Sequence, residues 1–146
     1  MSERLSGGCF CGAIRYTAEA TETKHYLCHC ADCRRYNGSA HHAAIVVAAN
    51  ELKVDGTPAV STVTADSGRS IARHFCGSCG GHLFTSPWPD VTRYSVKAGT
   101  LDEGVPFRPD AEIWTKSRVA WALPLPDAEQ FSEGFTRPIS IGARKG

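Results

Sequence analysis

The placement of the seven cysteines constrains this chain more than any other feature. Three of them fall within six residues, Cys28-His29-Cys30-Ala31-Asp32-Cys33, and Arg34 and Arg35 follow at once. The other four form two tight pairs, Cys9-Phe10-Cys11 and Cys76-Gly77-Ser78-Cys79, so none is left over. Thiols one or two residues apart suit the ligation of a soft cation. Structural zinc is closed by four ligands, whereas catalytic zinc keeps three protein ligands and one open position. Spacing alone does not say which clusters meet. The pattern is read as a four-cysteine structural zinc on Cys9, Cys11, Cys76 and Cys79, and a three-cysteine catalytic zinc on Cys28, Cys30 and Cys33, giving two Zn2+ per chain.

At 146 residues the chain is expected to form a single domain, 1–146, large enough to bury a core and small enough to gain from a metal clip. Met1-Ser2-Glu3-Arg4 opens no apolar run, and the longest apolar stretch, 43–49, is too short to span a bilayer. The expected location is therefore the cytoplasm, where thiols stay reduced and metal ligation outweighs disulfide formation. The formal charge of +1 falls once the cysteines are counted as thiolates, and the one basic cluster of note is Arg34 with Arg35. Neither a nucleic-acid partner nor a membrane is expected.

The chain reads as mainly β, with antiparallel sheets around the metal sites. Extended segments are expected over 13–18, 24–27, 43–49, 52–55, 60–64, 70–75, 91–97 and 111–115. Asp66-Ser67-Gly68 is the predicted turn of a hairpin whose second arm runs into Cys76. A helical turn or two over 31–36, closed by Asn37-Gly38, would bring Cys33 back toward Cys30. From 124 onward, Pro124, Pro126, Pro138, Gly134 and Gly142 break any long element, so the tail is expected to wrap the surface and residues 143–146 to fray.

A zinc on three thiolates accepts another soft ligand, above all a thiol, more naturally than it activates water. A free thiol, with a pKa of about 8.5, is little ionised at neutral pH, so its capture as thiolate yields a ready nucleophile. Arg34 and Arg35 suit the carboxylates of an acidic thiol such as glutathione. A histidine could instead close the site and make it structural, and His25, His29, His41 and His42 lie nearby. His29, wedged between two ligands, is expected to point away from the metal. Trp114 and Trp121 are expected in the core or a pocket wall, Asp102 in a turn, and His74 and His82 in supporting roles.

These residues resemble a known family. Gly8-Cys9-Phe10-Cys11-Gly12 with Arg15-Tyr16, the Cys28–Arg35 motif with Gly38, Phe75-Cys76-Gly77-Ser78-Cys79-Gly80 with Leu83-Phe84, Ala98-Gly99-Thr100-Leu101-Asp102, and Ile113-Trp114 with Ser117-Arg118 and Trp121 are similar to the glutathione-dependent formaldehyde-activating enzyme family, which includes centromere protein V. The motifs span about residues 7–121. The resemblance implies a zinc-bound β-tent of antiparallel sheets, a structural four-cysteine zinc and a catalytic zinc on Cys28, Cys30 and Cys33. It implies a carbon-sulfur lyase that forms or cleaves S-hydroxymethylglutathione from a small thiol and a small aldehyde. Arg34, Arg35, Trp114, Ser117 and Arg118 are the implied substrate contacts. Where relatives commonly carry a histidine before the isoleucine, this chain has Glu112. The other reading of the same residues is a non-catalytic zinc module that binds a small thiol or a partner protein.

Overall fold

Strict alternation builds the first sheet. In the computed structural model, which describes residues 2–65 and 68–139, β1 (Glu3–Gly8) pairs antiparallel with β2 (Arg15–Ala20). Tyr16, Ala18 and Ala20 on β2 face inward while Arg15, Thr17 and Glu19 face water, the period of two that a half-buried strand requires. The chain packs as two compact units: residues up to Thr23 with Ile45–Val105, and Lys24–Ala44 with the described residues from Pro106 onward.

The second unit begins with β3 (Lys24–Cys28) and the short helix α1 (Ala31–Asn37), which matches the helical turns expected over 31–36. β4 (His42–Ala48) then carries the chain back to the first unit. It is the buried strand expected from its branched apolar run, with Ala44, Ile45 and Val47 all 0% exposed.

In the first unit, β5 (Leu52–Asp55) completes the sheet on the free edge of β2. A further antiparallel run joins β6 (Ala59–Thr64), β7 (Ser70–Phe75), β8 (His82–Pro87) and β9 (Arg93–Lys97). The predicted hairpin is β6–β7. Of its turn, Asp66 and Ser67 lie outside the described residues, and the flanks are joined by Ala65 N–H donating to Arg69 O at 2.8 Å. Leu5, Tyr16, Leu83, Phe84 and Val96 are almost fully buried, each contributing about 1.5–3 kcal/mol by leaving water. The Tyr16 and Phe84 rings meet edge to face, with centroids 5.3 Å apart.

β10 (Ala111–Ile113) and β11 (Glu129–Gln130) belong to the second unit, and there the pairing differs from expectation. β10 runs parallel to both β3 and β11, with Ile113 opposite Cys28 and Glu112 opposite both Leu27 and Gln130. The strand expected over 111–115 stops at Ile113, because Trp114 adopts a left-handed backbone (φ 56°) and Thr115–Ser117 winds into a 3-10 turn. Part of the 124–146 stretch supplies β11 and the buried Phe131, while residues 143–146 lie outside the described residues. Among the described residues, no helix is long and apolar enough to cross a membrane.

Candidate functional site

Two loops of like construction hold the paired cysteines of the first unit. In the first, Gly12 N–H donates to Cys9 O at 3.2 Å and Ile14 N–H to Cys9 Sγ at 3.3 Å. In the second, Gly80 N–H donates to Cys76 O at 2.8 Å and Cys79 N–H to Cys76 Sγ at 3.5 Å. Gly12 (φ 79°) and Gly80 (φ 76°) take the left-handed turn that closes each loop, a conformation that side chains resist. Backbone N–H groups aimed at sulfur favour thiolate over thiol.

The four sulfurs converge. Cys9 Sγ and Cys76 Sγ each lie 3.7 Å from Cys11 Sγ, and all four ligand atoms lie within 4.8 Å of one another. Tetrahedral zinc with Zn–S bonds of about 2.3 Å would separate its sulfurs by about 3.8 Å, so the donor set fits that ion. The distances exceed the S–S length of a disulfide, about 2.05 Å, and none of the seven cysteines is in a disulfide. Burial raises the Cys9 thiol, but the Ile14 N–H and the neighbouring thiols more than offset it, bringing it down to about 6.

The three-cysteine group sits in the second unit where β3 meets α1. Cys28 ends β3 and is buried with Ala111, Ile113 and Phe131, and Tyr26, Cys30, Cys33 and Trp114 pack against that cluster. Cys30 precedes α1, and its sulfur accepts a hydrogen bond from Cys33 N–H at 3.3 Å. The three sulfurs lie within 4.8 Å of one another, and among the described residues no histidine or carboxylate joins them as a fourth donor. Hydrogen bonds from Cys28 and Cys33 hold the Cys30 thiol well below its ordinary value, while the Cys30 and Cys33 thiols and burial push Cys28 far above it. Three thiolates so close need a cation to coexist, which is the chemistry zinc supplies.

His29 is fully buried, and its side chain turns to Glu112 rather than joining the sulfurs. Nε2 donates to Glu112 Oε1 at 2.7 Å, and the His29 backbone N–H donates to Ile113 O at 3.0 Å. Glu112 is also fully buried. Burial raises its carboxyl, but hydrogen bonds from Gln130, the Leu125 backbone, His29 and Arg118 outweigh that and bring it down to about 2.

The expected substrate contacts fall into different settings. Arg34 is half-buried, with its Nε lacking a hydrogen-bond partner, whereas Arg35 is exposed. Trp114 is half-buried at the edge of the Cys28 cluster, and Ser117 N–H donates to Trp114 O at 3.0 Å. Arg118 turns inward to Gln130 Oε1 at 2.5 Å and Glu112 Oε1 at 3.2 Å. Trp121 corrects the expectation of a core or wall residue, being 72% exposed in a segment where Leu123 is exposed too. Asp102 opens a turn as expected, its carbonyl accepting from Val105 N–H at 3.2 Å, and its carboxylate also pairs with Arg15 at 3.0 and 2.5 Å. His74 bonds Ser86 Oγ at 2.8 Å. The Glu112 network was not read as such from the sequence. Its one signal is an acid set between Ala111 and Ile113 in a short apolar strand.

Comparison with a solved structure supports the fold alone: a Rhodobacter sphaeroides protein is 22% identical, with a TM-score of 0.53 over 69% of this chain and 90% of that one. The family described as glutathione-dependent formaldehyde-activating enzyme matches residues 4–117, a span that includes all seven cysteines and β10. The chain belongs to the glutathione-dependent formaldehyde-activating enzyme family.

Proposed function

We propose that this chain, read as one domain over 1–146, is a zinc-dependent carbon-sulfur lyase of the cytoplasm. It joins a small acidic thiol, glutathione or a close analogue, to a small aldehyde such as formaldehyde, and runs the reverse cleavage. Family membership supports the reaction class. The observation that carries the reading is the group of three converging sulfurs, Cys28, Cys30 and Cys33, without a fourth protein donor among the described residues.

When bound there, zinc supplies a Lewis-acid position at which an incoming thiol is held ionised. The chain's own residues do the rest. Cys28 is fixed by β3, Cys30 by the start of α1, and Cys33 by its N–H bond back to Cys30, so the three donors are set before substrate arrives. In the forward direction the thiol sulfur forms a bond to the aldehyde carbon, the carbonyl π pair moves to oxygen, and the proton given up by the thiol ends on that oxygen. No oxidant or reductant is needed. Arg34, half-buried with an unpartnered Nε, is the better placed of the two arginines to bind a substrate carboxylate, with exposed Arg35 as its outer companion. Trp114, packed against the Cys28 cluster, serves as the wall of the substrate site, with Ser117 bonded to its carbonyl and Arg118 paired with Glu112 on the neighbouring strand.

The test is two-dimensional exchange NMR of formaldehyde with glutathione, on protein whose zinc per chain has been counted. Two-zinc protein is expected to speed exchange above the spontaneous rate, and Cys33→Ser protein is expected not to. Exchange at the spontaneous rate with both zincs present would remove the formaldehyde reaction and leave a non-catalytic zinc module.

A further inference from the structure

A buried carboxylate costs several kcal/mol unless donors surround it, and Glu112 is 0% exposed. Its two oxygens divide their work. Oε1 accepts from His29 Nε2 at 2.7 Å and pairs with Arg118 at 3.2 Å. Oε2 accepts from the Leu125 backbone N–H at 2.8 Å and from Gln130 Nε2 at 2.7 Å. Arg118 also donates to Gln130 Oε1 at 2.5 Å, which closes a ring of Glu112, Arg118 and Gln130. One side chain on β10 thus ties the cysteine motif to the segment that runs from Arg118 to Gln130.

His29 lies between two of the three sulfur donors in sequence, so whatever fixes it fixes the main chain on both sides. It is held at two points. Its backbone N–H bonds Ile113 O, on the residue opposite Cys28, and its ring bonds Glu112, one residue earlier on the same strand. A carboxylate can only accept, so Nε2 carries the hydrogen and the ring orientation is set. The His41 ring meets the His29 ring edge to face with centroids 5.2 Å apart, and the second ring nitrogen, Nδ1, makes no hydrogen bond, so the Glu112 bond is what holds the ring's polar edge.

We propose that Glu112 is the positioning residue of the three-cysteine site: acting through His29, it holds Cys28 and Cys30 in the ligating arrangement, and it anchors the 118–130 segment to the same point. This rests on the reading of Cys28, Cys30 and Cys33 as a zinc site. Ligand-orienting partners of this kind are worth about 10–100-fold in metal affinity.

The experiment is zinc release from the two-zinc full chain to a chromophoric chelator, which resolves the sites as separate phases. The phase missing in Cys33→Ser belongs to the three-cysteine site. Glu112→Gln keeps the volume but replaces one acceptor oxygen with a donor. It is expected to weaken the three-cysteine phase about 10–100-fold and leave the four-cysteine phase unchanged, which also reports that the chain is folded. His29→Leu should match it, and the double variant should be no weaker than either single one, since both remove one interaction. His29→Gln, which keeps a side-chain N–H, should recover most of the affinity. The inference is overturned if Glu112→Gln leaves the three-cysteine phase as in the parent, if both phases weaken together, or if the two substitutions add. Absence of a second zinc in the parent would overturn the functional reading itself, and this inference with it.

Discussion

Replacing Cys76 with serine should cost this protein far more than replacing Cys33, although each change removes one sulfur from one candidate zinc site. The reason is the length of chain each metal would close. Cys11 and Cys76 are 65 residues apart, and their sulfurs stand 3.7 Å from each other. A cross-link closing a loop of that length removes about 4 kcal/mol of entropy from the unfolded ensemble. The local loop of Cys28 to Cys33 is worth about 2 kcal/mol on the same scale. Against a total stability of about 5–15 kcal/mol, the first loss is a large share and the second a modest one. Urea unfolding followed by tryptophan fluorescence reads the difference. With a slope of about 2 kcal/mol per molar, Cys76→Ser should lower the midpoint by about 2 M and Cys33→Ser by about 1 M. The slope itself should steepen for Cys76→Ser, because an unfolded chain without its long clip exposes more surface. Equal midpoint losses in the two variants, or a Cys76→Ser midpoint within about 0.5 M of the parent, would refute the assignment of Cys9, Cys11, Cys76 and Cys79 as the long-range clip.

Arg34→Met should raise KM for glutathione about 10–100-fold, since one charge-assisted hydrogen bond is worth about 1.5–3 kcal/mol, while leaving KM for a thiol without carboxylates unchanged. Arg35→Met should do less, and steady-state kinetics with both thiols would separate the two. Tyr16 should ionise late: burial raises its phenol to about 12, although the hydrogen bond to Thr100 Oγ1 at 2.7 Å lowers it in part. Its folded value stands above the ordinary 10, so the associated stability, about 3 kcal/mol, is fully present below pH 10 and is lost as pH rises through about 12. Ultraviolet titration should show that late phase, and Tyr16→Phe should abolish it. Gly7→Ala should destabilise by about 3 kcal/mol in thermal melts, because a Cβ there would collide with the Thr100 carbonyl oxygen and the Tyr16 phenol.

Much of the fold was legible because local chemistry and tertiary role agree. The apolar run at Ile45–Val47 could only be a buried strand, and the arms of the β6–β7 hairpin were visible in their branched residues and in the break between them. The two cysteine clusters were legible for the same reason, since thiols one or two residues apart in sequence also meet in space. What escaped depends on partners far along the chain. β1 carries two glycines and gains its strand form only from pairing with β2. β11 is two residues long and exists because β10 offers it an edge. β8 begins just after Gly80-Gly81 and ends at Pro87, signals that read locally as a loop. Trp121 misled because large aromatics are mostly spent on burial, and only packing shows that this one is not. Glu112 stood out in the sequence only as the residue where relatives commonly carry a histidine, because His29, Leu125, Gln130 and Arg118 lie at separations of 83, 13, 18 and six residues and no local pattern joins them.

The central claim is that the site of Cys28, Cys30 and Cys33 keeps a place for an external thiol. Zinc X-ray absorption on the two-zinc protein, with and without glutathione, tests it most directly. The account predicts one zinc with four sulfurs and one with three before addition, and four sulfurs at both afterwards. A sulfur count that does not move with glutathione, or a nitrogen ligand already filling the fourth position, would contradict it.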